Sequence, residues 1–146
     1  MLVTPKEVRA ITAATGLPRD GIVRPYPEMI EGEEGALYTL GWCLRQDGDV
    51  CRFLAEGKCT VYAARPWICR TYPFMLDGDD LLVASCDGIG KTMTDKAAKK
   101  IAEDLLKRRS AEENEAVQVQ EVLRTAPPPA GCISVIDSEG VTVILG

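Results

Sequence analysis

The apolar positions of this chain change period several times, and each change predicts a different element. Val8 and Ile11, with Thr12 on the same face and Ala10 and Ala14 beside it, follow the helical repeat. Thr4 precedes them as a cap, Pro5 suits a first helical position, and Glu7 completes a T-x-x-E capping box. Gly16 supplies a stop, so a helix is expected over residues 4–15. Residues 17–35 show no period. They carry three prolines and the acidic Glu28, Glu31, Glu33 and Glu34, which predicts a solvated loop without the D-x-D-x-D-G order of a calcium site.

Residues 36–43 then read as a strand, with the β-formers Tyr38, Thr39 and Trp42. Two short apolar runs, 50–54 and 59–62, flank Ala55-Glu56-Gly57-Lys58 and predict a hairpin. Pro66 closes the second run, and residues 67–70 form a turn or a single helical turn. Residues 71–76 and 81–85 predict another hairpin about Asp77-Gly78-Asp79-Asp80. The helical period returns over 94–106, where Ala98, Ile101 and Leu105 share a face. It continues, or breaks near Ser110, into a segment carrying Ala116, Val119, Val122 and Leu123. Pro127-Pro128-Pro129 is a stiff hinge before a terminal hairpin of residues 132–137 and 141–145. The expected class is α+β, with small antiparallel hairpins, an N-terminal helix, a helical arm and a C-terminal β-hairpin. Three segments are expected: a cysteine-cluster metal-binding domain (1–92), an amphipathic helical arm (93–126) and a Pro-hinged hairpin (127–146).

Composition sharpens this picture chiefly by exclusion. At 146 residues and 46% apolar content the chain buries a core without needing disulfides. A net charge of −5 disfavours nucleic acid and anionic membranes as partners. With no run long enough to cross a bilayer and no signal-peptide core at the N-terminus, a cytoplasmic setting with reduced thiols is expected. There is no histidine, which removes Cys2His2 zinc sites, His-dependent triads and His acid–base catalysis.

Six cysteines in such a chain point to metal or redox chemistry. Cys51, Cys59, Cys69 and Cys86 are separated by 7, 9 and 16 residues, and the predicted hairpins would bring them together. Thiolates are soft donors suited to zinc, iron–sulfur clusters and copper(I). The chain has no C-x-x-C knuckle, and each cysteine sits at a separate strand end or turn, which suits a larger object such as a [4Fe–4S] cluster. Inert buried cysteines are the plainer alternative. Cys43 is a reserve ligand and Cys132 a bystander. Arg65 and Arg70 flank Cys69 and are expected to favour its thiolate. Tyr62, Trp67, Tyr72 and Phe74 either shield the site or fill the core of a small domain. Residues 86–92 imitate a phosphate-binding loop, and 133–137 imitate the strand ending in a magnesium-holding Asp. Ser85 stands where the first glycine is required, however, so the glycines are read as a tight bend around Cys86.

The run Cys51-x-Phe53-Leu54, Cys59-Thr60-Val61-Tyr62, Arg65-Pro66, Cys69-Arg70-x-Tyr72-Pro73-Phe74 resembles the signature of the YkgJ-type cysteine-cluster family. Cys86 looks like that family's later cysteine, and Thr4-Pro5-Lys6-Glu7-Val8 is similar to its first helix start, so the resemblance covers about residues 1–90. It implies a zinc- or iron-chelating domain, sometimes called an Fe–S oxidoreductase. The family's opening C-x-x-C-x-x-C-C block is missing, which leaves either a start further upstream or a reduced member whose site closes with Cys51, Cys59, Cys69 and Cys86; the second is expected. The expected function is an iron–sulfur protein in electron transfer, redox or oxygen sensing, or protection of a larger, oxygen-labile partner enzyme. A zinc-stabilised interaction module is the alternative. A related branch resembles flagellin lysine methylases, but the chain shows no separate cofactor domain, so a non-enzyme is expected.

Overall fold

Strand β1 (Leu2–Val3) leads into helix α1 (Pro5–Thr15) through the capping box that its sequence predicts. The computed structural model describes residues 2–86 and 90–146. Glu7 N donates to Thr4 Oγ1 (3.3 Å), and Thr4 N donates to Glu7 Oε2 (2.7 Å). Gly16, at φ 72°, ends the helix and returns its N–H to Thr12 O at 2.8 Å. Val8 and Ile11 are buried, as the helical period requires.

The segment expected as a solvated loop is partly ordered. It holds helix α2 (Arg19–Ile22), strands β2 (Val23–Pro25) and β3 (Ile30–Glu31), and a 3-10 turn at Glu33–Gly35. Ile22 and Val23 lie in the core, so two adjacent apolar residues override the proline and carboxylate signals around them.

The strand expected over 36–43 is two strands, β4 (Leu37–Leu40) and β5 (Trp42–Leu44). Gly41 between them adopts φ 91°, and a Cβ there would lie 3.1 Å from Leu2 Cδ2. Glycine permits this elbow, which sends the two halves into different sheets. β5 pairs antiparallel with β1 and β2, whereas β4 pairs with β3.

The hairpin expected between 50–54 and 59–62 is present but short, and a second small ribbon precedes it. β6 (Gln46–Asp47) pairs with β7 (Val50–Cys51), and β8 (Leu54–Ala55) pairs with β9 (Lys58–Cys59). Glu56 and Gly57, both at positive φ, make the second turn, the backbone that a two-residue hairpin loop favours. A 3-10 turn (Tyr62–Ala64) and helix α3 (Trp67–Thr71) follow. Then β10 (Phe74–Asp77) and β11 (Asp80–Val83) form the expected hairpin.

Helix α4 (Asp95–Thr125) is unbroken through Ser110. It contains no glycine or proline, and the i,i+4 pairs Lys100–Asp104 and Arg108–Glu112, each 2.7 Å, brace it. The terminal hairpin is present as β12 (Ile133–Asp137) and β13 (Gly140–Leu145). β12 also runs parallel to β4, from Ile133 opposite Leu37 to Ile136 opposite Leu40, giving the sheet order β13-β12-β4-β3. The architecture is α+β.

The core joins Val3, Val8, Ile11, Ile22, Val23, Trp42, Leu44, Phe53, Val61 and Val135. At its edge Glu7 performs a second task. Its Oε1 accepts from Trp67 N at 2.8 Å, which caps the start of α3 from a distant helix. Glu7→Ala is therefore expected to cost about 1–3 kcal/mol in urea denaturation, because both a capping box and the Trp67 N–H lose their acceptor. Glu7→Gln retains an amide oxygen and is expected to lose less.

Candidate metal centre

Cys51 and Cys59 stand at the ends of the two ribbons, each two residues before a buried anchor. The turns after β7 and β9 bury Phe53 and Val61 in the core, and Cys51 and Cys59 pack against that core. Each ribbon is extended by one further bond: Thr60 N donates to Phe53 O at 2.8 Å beyond β8–β9, and Arg52 N to Arg45 O at 3.1 Å beyond β6–β7. Cys69 lies in α3. This helix is held at its start by Glu7 and near its end by Arg108, whose guanidinium donates to the buried Thr71 Oγ1 at 3.1 Å. Thr71 in turn donates to Trp67 O at 2.9 Å.

These elements place Cys51, Cys59 and Cys69 half-buried against the core. Together with Phe53, Lys58 and Arg65 they line a cleft of about 590 Å³. Cys51 and Cys69 also line an adjoining cleft of about 280 Å³, this one with Cys43, Arg24 and Tyr26. Cys86 follows β11, half-buried, and is not among the residues lining either cleft. Cys132 precedes β12, on the C-terminal hairpin. Among the described residues, no three Cys, Asp or Glu side chains close round a single ion. The thiols are soft donors and so fit a soft metal in kind, but the sulfurs border a space rather than converge on a point.

Burial pushes the Cys69 thiol up from 9.0 to about 11. Cys51 and Cys59 add to the rise, Arg65 opposes it, and Glu7 adds again. The expectation that flanking arginines favour the thiolate is thus outweighed in the metal-free protein. Arg65 acts in the expected sense, but Arg70 is turned to backbone, donating to Arg65 O at 2.8 Å and Ala63 O at 3.0 Å. The sign for stability follows. An unfolded thiol ionises near 9.0 and the folded one near 11, so the unfolded chain binds fewer protons between them. Metal-free protein is expected to lose stability as pH rises through this window. Denaturation curves should show a smaller loss for Cys69→Ala.

The four aromatic residues divide. Tyr62 lines the larger cleft with the Arg65 guanidinium 3.6 Å from its ring centroid, and Tyr72 donates to Ser85 O at 2.7 Å. Trp67 and Phe74 are half-buried; Trp42 and Phe53 are the aromatic members of the core. The glycine turn expected at 86–92 includes residues 87–89, which lie outside the described residues. Asp137 does not stand open for a cation. Its Oδ2 accepts from the buried Trp42 Nε1 at 2.8 Å, and its Oδ1 from Glu139 N at 2.8 Å.

Sequence reasoning named Cys43 only as a reserve ligand, and it missed the cationic lining by Arg24 and Lys58 and the reach of Glu7 to α3. An apolar residue two positions after each cysteine, Phe53 and Val61, was a usable signal for Cys51 and Cys59. None existed for Glu7, whose capping role already accounted for it. Among the described residues, no helix is long and apolar enough to cross a membrane. Residues 3–104 match the model of the CxxCxxCC family, described as "Putative zinc- or iron-chelating domain". No curated protein and no solved structure matches the chain.

Proposed function

The chain belongs to the CxxCxxCC family, and on that premise we propose that it is an iron–sulfur protein whose group is held by Cys51, Cys59 and Cys69 with a fourth thiolate from the remaining cysteines. One observation carries this reading: three thiols from three separate elements line one cleft, with Lys58 and Arg65 beside them. Thiolates held around an anionic cluster need nearby positive charge, and these two side chains supply it. Thiols that border a cleft without converging on one point favour an object larger than one ion. Such a group, proposed as [4Fe–4S], supplies one-electron chemistry at a potential set by exposure and by hydrogen bonds to sulfur. The protein's part is to bind it, to offset its charge and to limit water at its edge. The uses that follow are electron transfer, redox or oxygen sensing, or protection of a larger partner enzyme.

A structural zinc is the second reading, favoured by the size of the ribbons. Each strand of β6–β9 has two residues and little core of its own, so a bound metal would contribute folding free energy. Anaerobic purification separates the two. Brown protein with broad absorbance near ~400 nm, bleached by dithionite, is expected for the cluster. Colourless protein whose ribbons unfold on chelation would instead support zinc.

A further inference from the structure

We infer that Cys43 is the fourth thiolate of this centre, in the place that the sequence gives to Cys86; the inference rests on the thiolate-centre reading above. The two clefts share Cys51 and Cys69. Cys59 lines one of these clefts and Cys43 the other, so thiols from β5, β7, β9 and α3 line two clefts that meet at Cys51 and Cys69. Cys43 is also the most firmly placed of them. It lies in the central strand of its sheet, opposite Leu2 on one side and Arg24 on the other, and is 5% exposed. A ligand on a strand paired on both edges is held more tightly than one on a loop.

Charge supports the same assignment. Arg24, the cross-strand partner of Cys43, lines the smaller cleft as Lys58 and Arg65 line the larger. Each cleft therefore carries cationic side chains beside its thiols, which would offset thiolate charge in both. The Cys43 thiol donates to Pro25 O over a long 3.7 Å contact, a weak interaction to give up when the sulfur becomes a ligand. On binding, each ligating thiol releases its proton to solvent and the sulfur lone pair goes to the metal.

The test compares anaerobically purified full-length wild type, Cys43→Ala and Cys86→Ala by iron, sulfide and zinc content per chain, with folding followed by circular dichroism. The expected result is that Cys86→Ala keeps the wild-type metal content, whereas Cys43→Ala, still folded, binds at least about a hundredfold more weakly. Loss of metal from Cys86→Ala with full retention by Cys43→Ala would overturn the inference and leave the centre standing. A wild type that holds no metal would overturn both. Because Cys43 is buried and its removal could disturb β5, wild type loaded with cadmium-113 gives a second measurement. A proton–cadmium correlation from the Cys43 β-protons supports the assignment; correlations from Cys86 and none from Cys43 overturn it.

Discussion

Cys69→Ser is expected to abolish metal retention, with an affinity loss of at least about a hundredfold, while Cys132→Ser leaves it unchanged. The reason is position. Cys69 borders both clefts, so no arrangement of the thiols around this region omits it. The helix that carries it is fixed at its start by Glu7 on Trp67 N and near its end by Arg108 on Thr71, so neighbouring thiols cannot easily shift to replace it. Serine is close in size to cysteine but a hard, poor ligand for soft metals, so the fold should survive while the binding does not. Cys132 lies on the C-terminal hairpin and borders neither cleft. Metal content per chain after anaerobic purification, together with circular dichroism, separates loss of binding from loss of fold. Equal retention by Cys69→Ser and wild type would remove α3 from the site.

Asp137→Ala is expected to destabilise the protein by about 3 kcal/mol. The carboxylate ends β12, and both its oxygens are used, one by the buried indole N–H of Trp42 and the other by Glu139 N. Alanine leaves the indole N–H of Trp42 in β5, 95 positions away in sequence, stranded in the core. An unpaired buried N–H costs about 1–3 kcal/mol, and loss of a charge-assisted bond adds to it. Asp137→Asn keeps an oxygen for the indole and should lose about half as much. Urea denaturation followed by tryptophan emission measures both. A change below about 0.5 kcal/mol for the alanine variant would mean that the hairpin contributes little to the body of the fold.

Local chemistry was legible in the sequence, and distant pairing was not. The Thr4–Glu7 box, the Gly16 stop and the turns of the β10–β11 and β12–β13 hairpins each depend on residues within a few positions, and each stands where the sequence places it. The strand over 36–43 failed at Gly41. A run of β-formers cannot reveal that its two halves belong to different sheets, and only the partners β1 and β12 make the elbow necessary. The parallel pairing of β12 with β4 was hidden for the same reason, since Pro127–Pro129 reads as a hinge to an independent hairpin. At the site, spacing within 51–69 brought three cysteines to one cleft. It left Cys43 as a reserve, because Cys43 reaches the adjoining cleft through β5 and a sheet assembled from β1 and β2.

The most direct measurement of the central claim is the count of iron, acid-labile sulfide and zinc per chain in anaerobically purified wild-type protein. A thiolate-held [4Fe–4S] centre predicts about four iron and four sulfide per chain with negligible zinc. Zinc without sulfide would contradict the cluster and leave a structural metal site, and protein without iron or zinc would contradict the thiolate centre itself.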